Sequence, residues 1–150
     1  MASELLYFDD LQIGNSFTTA TCEVTAADIK RFAGEFDPQP FHLDDEAARL
    51  TMFGGLAASG WHTAALTMRL LVTSGPKLAG GIVGAGGQIE WKTPTRAGDV
   101  LRVHSEVADL IPSKSRPDRG VVILLSKTVN QGGEVAQTLT AKLMLPRRAS

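Results

Sequence analysis

The sequence has very little cysteine and no excess of charge of either sign. Cys22 is the only cysteine in 150 residues, so no disulfide can form within the chain and no pair of thiolates is available to a metal ion. Lysine and arginine number 15 against 16 for aspartate and glutamate, which leaves no basic field for nucleic acid. We therefore expect a protein of the reducing cytoplasm that has no nucleic-acid partner.

Long apolar runs are also absent. No window approaches the roughly 20 apolar residues of a membrane-spanning helix, and the N-terminal segment MASELLYFDDLQIG has acidic residues where a signal peptide has its apolar core. We expect no membrane partner. The composition, 43% apolar and 21% charged, is close to the globular average, and no repeat or linker divides the chain. One domain over residues 1–150 is predicted.

The spacing of apolar residues changes along the chain from that of a strand to that of a helix and back. The segment SFTTATCEVT predicts a strand, Thr25 precedes a predicted helix over 26–36, and Asp44 can cap a short helix over 45–50. The stretch 59–73 is apolar on nearly all sides and predicts a buried helix. Four strands follow, at 82–91, 100–109, 121–130 and 134–145. This order predicts an α+β fold in which a meander of antiparallel strands curls around one long central helix.

Two prolines separate an aspartate from a histidine in the segment FDPQPFH. Pro38 and Pro40 each fix their own φ angle and disfavour helix at the preceding residue, so a rigid, non-helical turn is predicted. Full extension would separate the Cα atoms of Asp37 and His42 by about 16 Å, whereas a turn that doubles back brings both side chains to one substrate. A carboxylate and an imidazole together are typical of general acid–base catalysis.

This segment resembles the D-x-N-P-x-H signature of the MaoC-like dehydratases and R-specific enoyl-CoA hydratases. The opening YFDDLQIGNSF and the later TPTRAGDVL are also similar to segments of that family, so the resemblance covers nearly the whole chain. It implies a hot-dog fold and the reversible addition of water to a trans-2-enoyl-CoA, giving the 3R-hydroxy product. It implies that Asp37 and His42 hold and activate the water, and that the backbone N–H of Gly60 polarises the thioester carbonyl.

Two positions depart from the family pattern. Gln39 stands where the signature has asparagine, and Ser59 precedes the helix glycine where many members have histidine. We predict that both residues, and Trp61 beside them, belong to the substrate-binding site. Coenzyme A would enter only as part of the substrate, and no other cofactor is predicted. No metal site is predicted either, because no pair of histidines has the i, i+4 spacing of a helical zinc motif.

Basic side chains outside this segment are candidates for binding the phosphates of coenzyme A. Lys114 and Arg116 belong to the basic segment PSKSRPDRG, and Lys92 and Arg96 flank the segment TPT. The two remaining histidines are interpreted as structural. His62 lies in the apolar helix and is predicted to be a hydrogen-bonded core residue, and His104 lies in a strand and is predicted to be exposed.

Two other functions are compatible with the same fold. Many hot-dog thioesterases carry a catalytic Asp or Glu on the central helix, and residues 59–73 contain neither. A non-catalytic protein that binds acyl thioesters needs no acid–base pair, and the fold alone does not exclude it. An open sheet also leaves an edge strand exposed, which natural proteins usually cover or pair. Since hot-dog proteins are typically dimers or larger, we expect a homodimer with the acyl-CoA near the subunit interface.

Overall fold

A computed structural model of the chain describes residues 4–149. After a short 3-10 turn at Phe8–Asp10, its elements are β1 (Ser16–Glu23), α1 (Ala26–Phe36), α2 (Pro40–Leu43), α3 (Asp45–Arg49), α4 (Gly60–Ser74), β2 (Val83–Trp91), β3 (Val100–Pro112), β4 (Arg119–Val129) and β5 (Val135–Pro146). The helices predicted over 26–36, 45–50 and 59–73 and the five predicted strands are all present, with ends shifted by a few residues.

The five strands form one antiparallel sheet in the order β1-β3-β4-β5-β2. The predicted meander is correct for β3, β4 and β5 and wrong for β2, which pairs with β5 at the opposite edge of the sheet. The connection from β2 to β3 crosses under the start of α4, where the Ala58 N–H donates to the Thr95 carbonyl at 2.8 Å. Thr95 is thereby almost completely buried, so the crossing covers the end of the core.

Helix α4 is the long central helix, and it packs against β1, β3 and β5. Its inner face buries Leu66, Leu70 and Leu71 together with Thr63 and Thr67. The threonines are hydrogen-bonded where they are buried: the Thr67 hydroxyl lies 2.6 Å from that of Thr128 on β4. The predicted α+β architecture, an antiparallel sheet around one long helix, is confirmed. Within residues 4–149 no helix is long and apolar enough to cross a membrane.

The segment between α1 and α3 differs from its prediction. A non-helical turn was predicted at DPQPFH, but Pro40 begins the one-turn helix α2, and the Asp44 N–H donates to its carbonyl at 3.0 Å. The reason is that proline is well suited to the first position of a helix, where its φ angle fits and its missing N–H would have had no acceptor. The residues before the prolines stay non-helical as predicted, with Gln39 extended.

Candidate active site

Asp37 and His42 lie side by side, although they are five positions apart in the sequence. Asp37 is the residue that ends α1, and His42 is the third residue of α2, so the break between these helices turns the two side chains towards each other. The Asp37 Oδ2 atom is 3.3 Å from the His42 Nε2 atom, and the side chains are 16% and 5% exposed. The structure therefore brings together the two groups that the sequence selected as an acid–base pair.

The His42 ring has a defined tautomer. Its Nδ1 atom lies 2.6 Å from the carbonyl oxygen of Ala57. A carbonyl only accepts hydrogen bonds, so Nδ1 carries the proton and donates it to this bond. In the neutral ring Nε2 then has an unshared electron pair, and it is Nε2 that faces Asp37. His42 is thus oriented to accept a proton on the side of the carboxylate.

The carboxylate of Asp37 is held by two neighbouring side chains. The hydroxyl of Ser59 donates to Oδ2 at 2.7 Å, and the amide of Gln39 donates to Oδ1. Burial by itself raises the pKa of Asp37, but these two hydrogen bonds and the neighbouring His42 act in the opposite sense, and the pKa of the carboxyl lies below its usual range. Asp37 is consequently an anion at neutral pH.

Ser59 joins the carboxylate to the central helix. It is completely buried and is the N-cap of α4, where its hydroxyl oxygen accepts from the Trp61 N–H at 3.2 Å. Gln39 also has a structural role here: its amide reaches Asp37, so it orients the carboxylate. Two of the predicted substrate-binding residues therefore contact the predicted acid–base pair directly.

Gly60 is the first residue of α4, and a tryptophan lies against it. A Cβ atom at Gly60 would be 2.5 Å from Cε2 of Trp91, so any larger residue would collide with the indole ring. The Trp91 ring is fixed by its Nε1–H, which donates to the Gln137 side-chain oxygen at 3.0 Å. At a first helical position the backbone N–H has no acceptor within the helix, and it is available to a ligand.

A cleft of about 240 Å³ opens beside these groups. Its walls come from α2, the segment before α4, α4 itself and the connection from β2 to β3. The lining residues are His42, Phe53, Ala58, Gly60, Thr63, Trp91, Thr93, Pro94, Thr95 and Ala136. A mostly apolar cleft with a few converging polar groups is the usual form of a small-molecule site.

Three other predicted binding residues, Trp61, Lys92 and Arg96, do not line the cleft. Trp61 is 59% exposed and packs edge-on against Trp91 without lining the cleft. Lys92 is exposed and forms an ion pair with Glu90 at 2.6 Å. Arg96 donates to backbone carbonyls of the segment before α4, so its guanidinium is occupied within the chain and the predicted phosphate contact is not supported.

Lys114 and Arg116 lie far from the cleft in this chain. They belong to the hairpin between β3 and β4, and the 13 residues of β3 extend about 40 Å from the connection that lines the cleft to this hairpin. Arg116 is 3.5 Å from Asp118 in the same hairpin. Within one chain the structure does not bring these two cations to the acid–base pair.

The two other histidines are outside the acid–base pair. His104 is exposed as predicted, and its Nδ1 atom is 3.1 Å from the Thr18 hydroxyl. His62 is buried as predicted and stacks on Phe32, but the predicted hydrogen bond is wrong for Nδ1, which has no partner among residues 4–149. Burial lowers the pKa of His62.

Sequence reasoning missed Trp91 and the carbonyl of Ala57. Trp91 was read only as the end of a strand, although an aromatic residue directly before the segment KTPT was a signal that could have been used. The sequence contains no signal for the Ala57 carbonyl, because every residue has a backbone carbonyl and nothing in the sequence marks the one that accepts from His42. Among residues 4–149 no three His, Cys, Asp or Glu side chains are grouped as a metal site would require. That no metal ion and no separate cofactor is needed stays a prediction.

Comparison with known proteins adds the family. Residues 10–129 match the family described as MaoC like domain. The chain belongs to this family. A crystal structure of a MaoC-like dehydratase from Rhodospirillum rubrum is 61% identical in sequence, with a TM-score of 0.95 over 97% of this chain and 99% of that one. The predicted hot-dog fold is therefore confirmed.

Two curated relatives carry names of enzymes. The 3-hydroxybutyryl-CoA dehydratase of Methylorubrum extorquens is 33% identical over 146 residues, which are 96% of this chain and 87% of that protein. An (R)-specific enoyl-CoA hydratase of Rhodospirillum rubrum is 29% identical over 146 residues, which are 96% of this chain and 94% of that protein. This MaoC-like protein thus has one relative named as a dehydratase and another named as a hydratase.

Proposed function

We propose that this MaoC-like protein catalyses the reversible addition of water to a trans-2-enoyl-CoA, giving the 3R-hydroxyacyl-CoA. The observation that carries the proposal is the pairing of two acceptors. The Asp37 Oδ2 atom and the Nε2 atom of His42 lie 3.3 Å apart, and both are acceptors when the neutral ring carries its proton on Nδ1. Two adjacent acceptors satisfy their electron pairs if one water molecule donates a hydrogen to each of them.

Such a water is held in the orientation that an attack on an alkene requires. Its oxygen lone pairs point away from the acceptors and towards a substrate in the cleft. As the oxygen bonds to C3, one of its protons moves to His42 Nε2. The π electrons between C2 and C3 form a double bond between C1 and C2, and the carbonyl π electrons move to the thioester oxygen, which gives an enolate. The imidazolium that forms is stabilised by the anionic Asp37 beside it.

The enolate oxygen needs hydrogen-bond donors, and the start of α4 supplies one. Gly60 lines the cleft at the positive end of the helix dipole, and its backbone N–H is proposed as that donor. The proton on His42 Nε2 is then delivered to C2, which completes the addition of H and OH and restores the neutral ring. Because the same ring takes and returns the proton, the addition is expected to occur on one face of the alkene.

The names of two relatives support the proposed substrate class. Their names state a 3-hydroxybutyryl-CoA and an (R)-specific enoyl-CoA reaction. Coenzyme A is accordingly proposed as part of the substrate, and the cytoplasm as the site of the reaction. Substrate-binding roles are proposed for Ser59 and Gln39 through Asp37, and for Trp61 through Trp91.

We further propose that the protein acts as a homodimer or a larger homo-oligomer. Strand β2 is an edge strand whose nine residues are exposed or half-buried, so its outer backbone groups are open to pairing. Pairing with the same strand of a second copy about a two-fold axis is antiparallel. It would bring the Val83 end of one copy next to the Trp91 end of the other.

This arrangement gives Lys114 and Arg116 a function. Val83 lines a shallow depression with Asp118 and Arg119, which lie at the same end of the sheet as the basic hairpin. In the dimer proposed above, the hairpin of one copy would approach the cleft of the other, and its cations are proposed to bind the phosphates of coenzyme A.

The direct test is hydration of crotonyl-CoA, followed as loss of the enoyl thioester absorbance. Wild type should be active, and Asp37→Asn and His42→Ala should each lose about a hundredfold or more in kcat, since general acid–base groups contribute about 10²–10⁴-fold. The exposed pair Asp45→Asn and His104→Ala serves as the matched control. Activity that survives both active-site substitutions, or release of free thiol from a saturated acyl-CoA, would contradict the proposal, the latter indicating a thioesterase.

A further inference from the structure

The guanidinium of Arg96 is hydrogen-bonded to three peptide carbonyls of one segment. Its Nη1 donates to Gly55 at 2.9 Å and to Leu56 at 3.3 Å, and its Nη2 donates to Phe53. Arg96 is itself fixed, because its backbone N–H donates to the Asp99 carboxylate at 2.8 Å. The connection between β2 and β3 thus holds the segment 53–58 by a charged clamp.

The segment 53–58 determines the position of the catalytic imidazole. The Ala57 carbonyl accepts the Nδ1–H of His42 at 2.6 Å and thereby sets which nitrogen faces Asp37. Phe53 lines the cleft, with its ring centroid 5.9 Å from that of His42. A shift of this segment would move both the acceptor that orients the ring and the side chain that supports it.

The segment has little conformational preference of its own. Gly54 has a φ angle of 64°, in the left-handed region, and a second glycine follows it. A pair of glycines makes a backbone mobile unless other groups restrain it. Backbone hydrogen bonds hold the end of the segment, where the N–H groups of Ala57 and Ala58 donate to carbonyls at 3.2 and 2.8 Å. The glycine-containing part, residues 53–56, is restrained by three hydrogen bonds from one planar guanidinium, and the compact ammonium of a lysine cannot reproduce the same fork of donors.

We propose that Arg96 is a positioning residue for His42. Arg96 acts by fixing segment 53–58, and it does not bind the phosphates of coenzyme A. The kinetic part of this inference rests on the proposed hydratase function. The chemistry predicts a loss of kcat when Arg96 is replaced, because the base is displaced. It predicts little change in KM, because the group makes no contact with the substrate.

The kinetic test compares two thioesters. Arg96→Lys and Arg96→Met are assayed with crotonyl-CoA and with the crotonyl thioester of N-acetylcysteamine, which has no phosphates. We expect kcat to fall about a hundredfold with both substrates, as a displacement near 1 Å can cause. Arg102→Met, which removes an exposed arginine of β3, should leave both unchanged. A rise in KM confined to crotonyl-CoA would overturn the inference in favour of a phosphate contact, and so would unchanged kcat.

A measurement without turnover separates this inference from the hydratase proposal. The His42 Nδ1 proton, held in a short hydrogen bond, is expected as a slowly exchanging downfield resonance in the proton NMR spectrum of wild type, absent from His42→Ala. In Arg96→Lys the His42 Nδ1 proton should exchange faster or its resonance should disappear, while the amide spectrum remains that of a folded protein. In Arg96→Ala, added methylguanidinium should restore both the resonance and the activity. A resonance that Arg96→Lys leaves unchanged would overturn the inference even if the wild type proved inactive on every enoyl thioester.

Discussion

The contact between Gly60 and Trp91 makes the first residue of α4 unusually sensitive to substitution. Alanine in place of a helical glycine ordinarily raises the free energy of unfolding by about 0.5–1 kcal/mol. Gly34, on the exposed side of α1, meets this expectation, since a Cβ atom there would have no heavy atom within 4 Å. Gly34→Ala should therefore stabilise the protein by that amount.

Gly60→Ala should do the opposite. Its Cβ atom would lie 2.5 Å from Trp91, whereas carbon atoms in contact are separated by about 3.5 Å or more. The indole must therefore move by about 1 Å, which breaks its 3.0 Å hydrogen bond to the completely buried Gln137. Overpacking and an unsatisfied buried amide each cost about 1–3 kcal/mol. We expect a net loss of about 1–5 kcal/mol after the gain in helix propensity.

Urea unfolding followed by far-ultraviolet circular dichroism measures both variants. A difference of about 2 kcal/mol corresponds to a shift of about 1 M in the urea midpoint. In a Trp91→Ala background the added methyl has room, so Gly60→Ala should cost at least about 1 kcal/mol less there than in wild type, as for residues in contact. If Gly60→Ala were as stabilising as Gly34→Ala, or equally costly in both backgrounds, the reasoning from this contact would be refuted.

The remaining predictions concern protons and assembly. The pKa of Asp37 is lowered in the folded state, so the stability that the carboxylate contributes is present above about pH 4 and is lost as the pH falls through the folded pKa. The difference in unfolding free energy between wild type and Asp37→Asn should therefore shrink over that range. A constant difference would contradict a lowered pKa in the folded state. The pKa of His62 is also lowered, so stability is lost as the pH falls below about 6.5. The free energy of unfolding of His62→Leu should therefore rise relative to that of wild type between pH 7.5 and pH 5. An equal difference at both pH values would argue against a buried neutral ring. Light scattering should give at least twice the 16.0 kDa of one chain, and a monomeric mass at working concentration would exclude the β2 pairing.

Local chemistry explains which parts of the fold were predictable. Thr25, Asp44 and Ser59 each cap a helix where the sequence placed one, because capping depends on a side chain and the next few backbone groups. The edge at which β2 joins the sheet depends instead on long-range pairing with β5, which no local pattern encodes. The helix at Pro40 was not predicted, because a proline disfavours helix only at the residue before it, whereas the proline itself is favoured at the first position of a helix.

The candidate site was likewise predictable only where local chemistry identifies it. The Asp37 and His42 pair came from a short motif in which both residue types are chemically suggestive. Arg96 was assigned to phosphate from its charge alone, since a sequence does not show that a guanidinium is already bonded to peptide carbonyls. The distance of the hairpin carrying Lys114 from the cleft likewise follows from strand length and pairing, which become definite only in the folded chain.

The edge-on contact between Trp61 and Trp91 has an optical consequence. The chain has two tryptophans, and both lie at the start of α4, with ring centroids 5.0 Å apart. The ultraviolet emission of the folded protein therefore originates almost wholly from one side of the cleft. Entry of a thioester beside Trp91 should change that emission without any label, and Trp61→Phe would leave a single fluorophore that reports on the cleft alone.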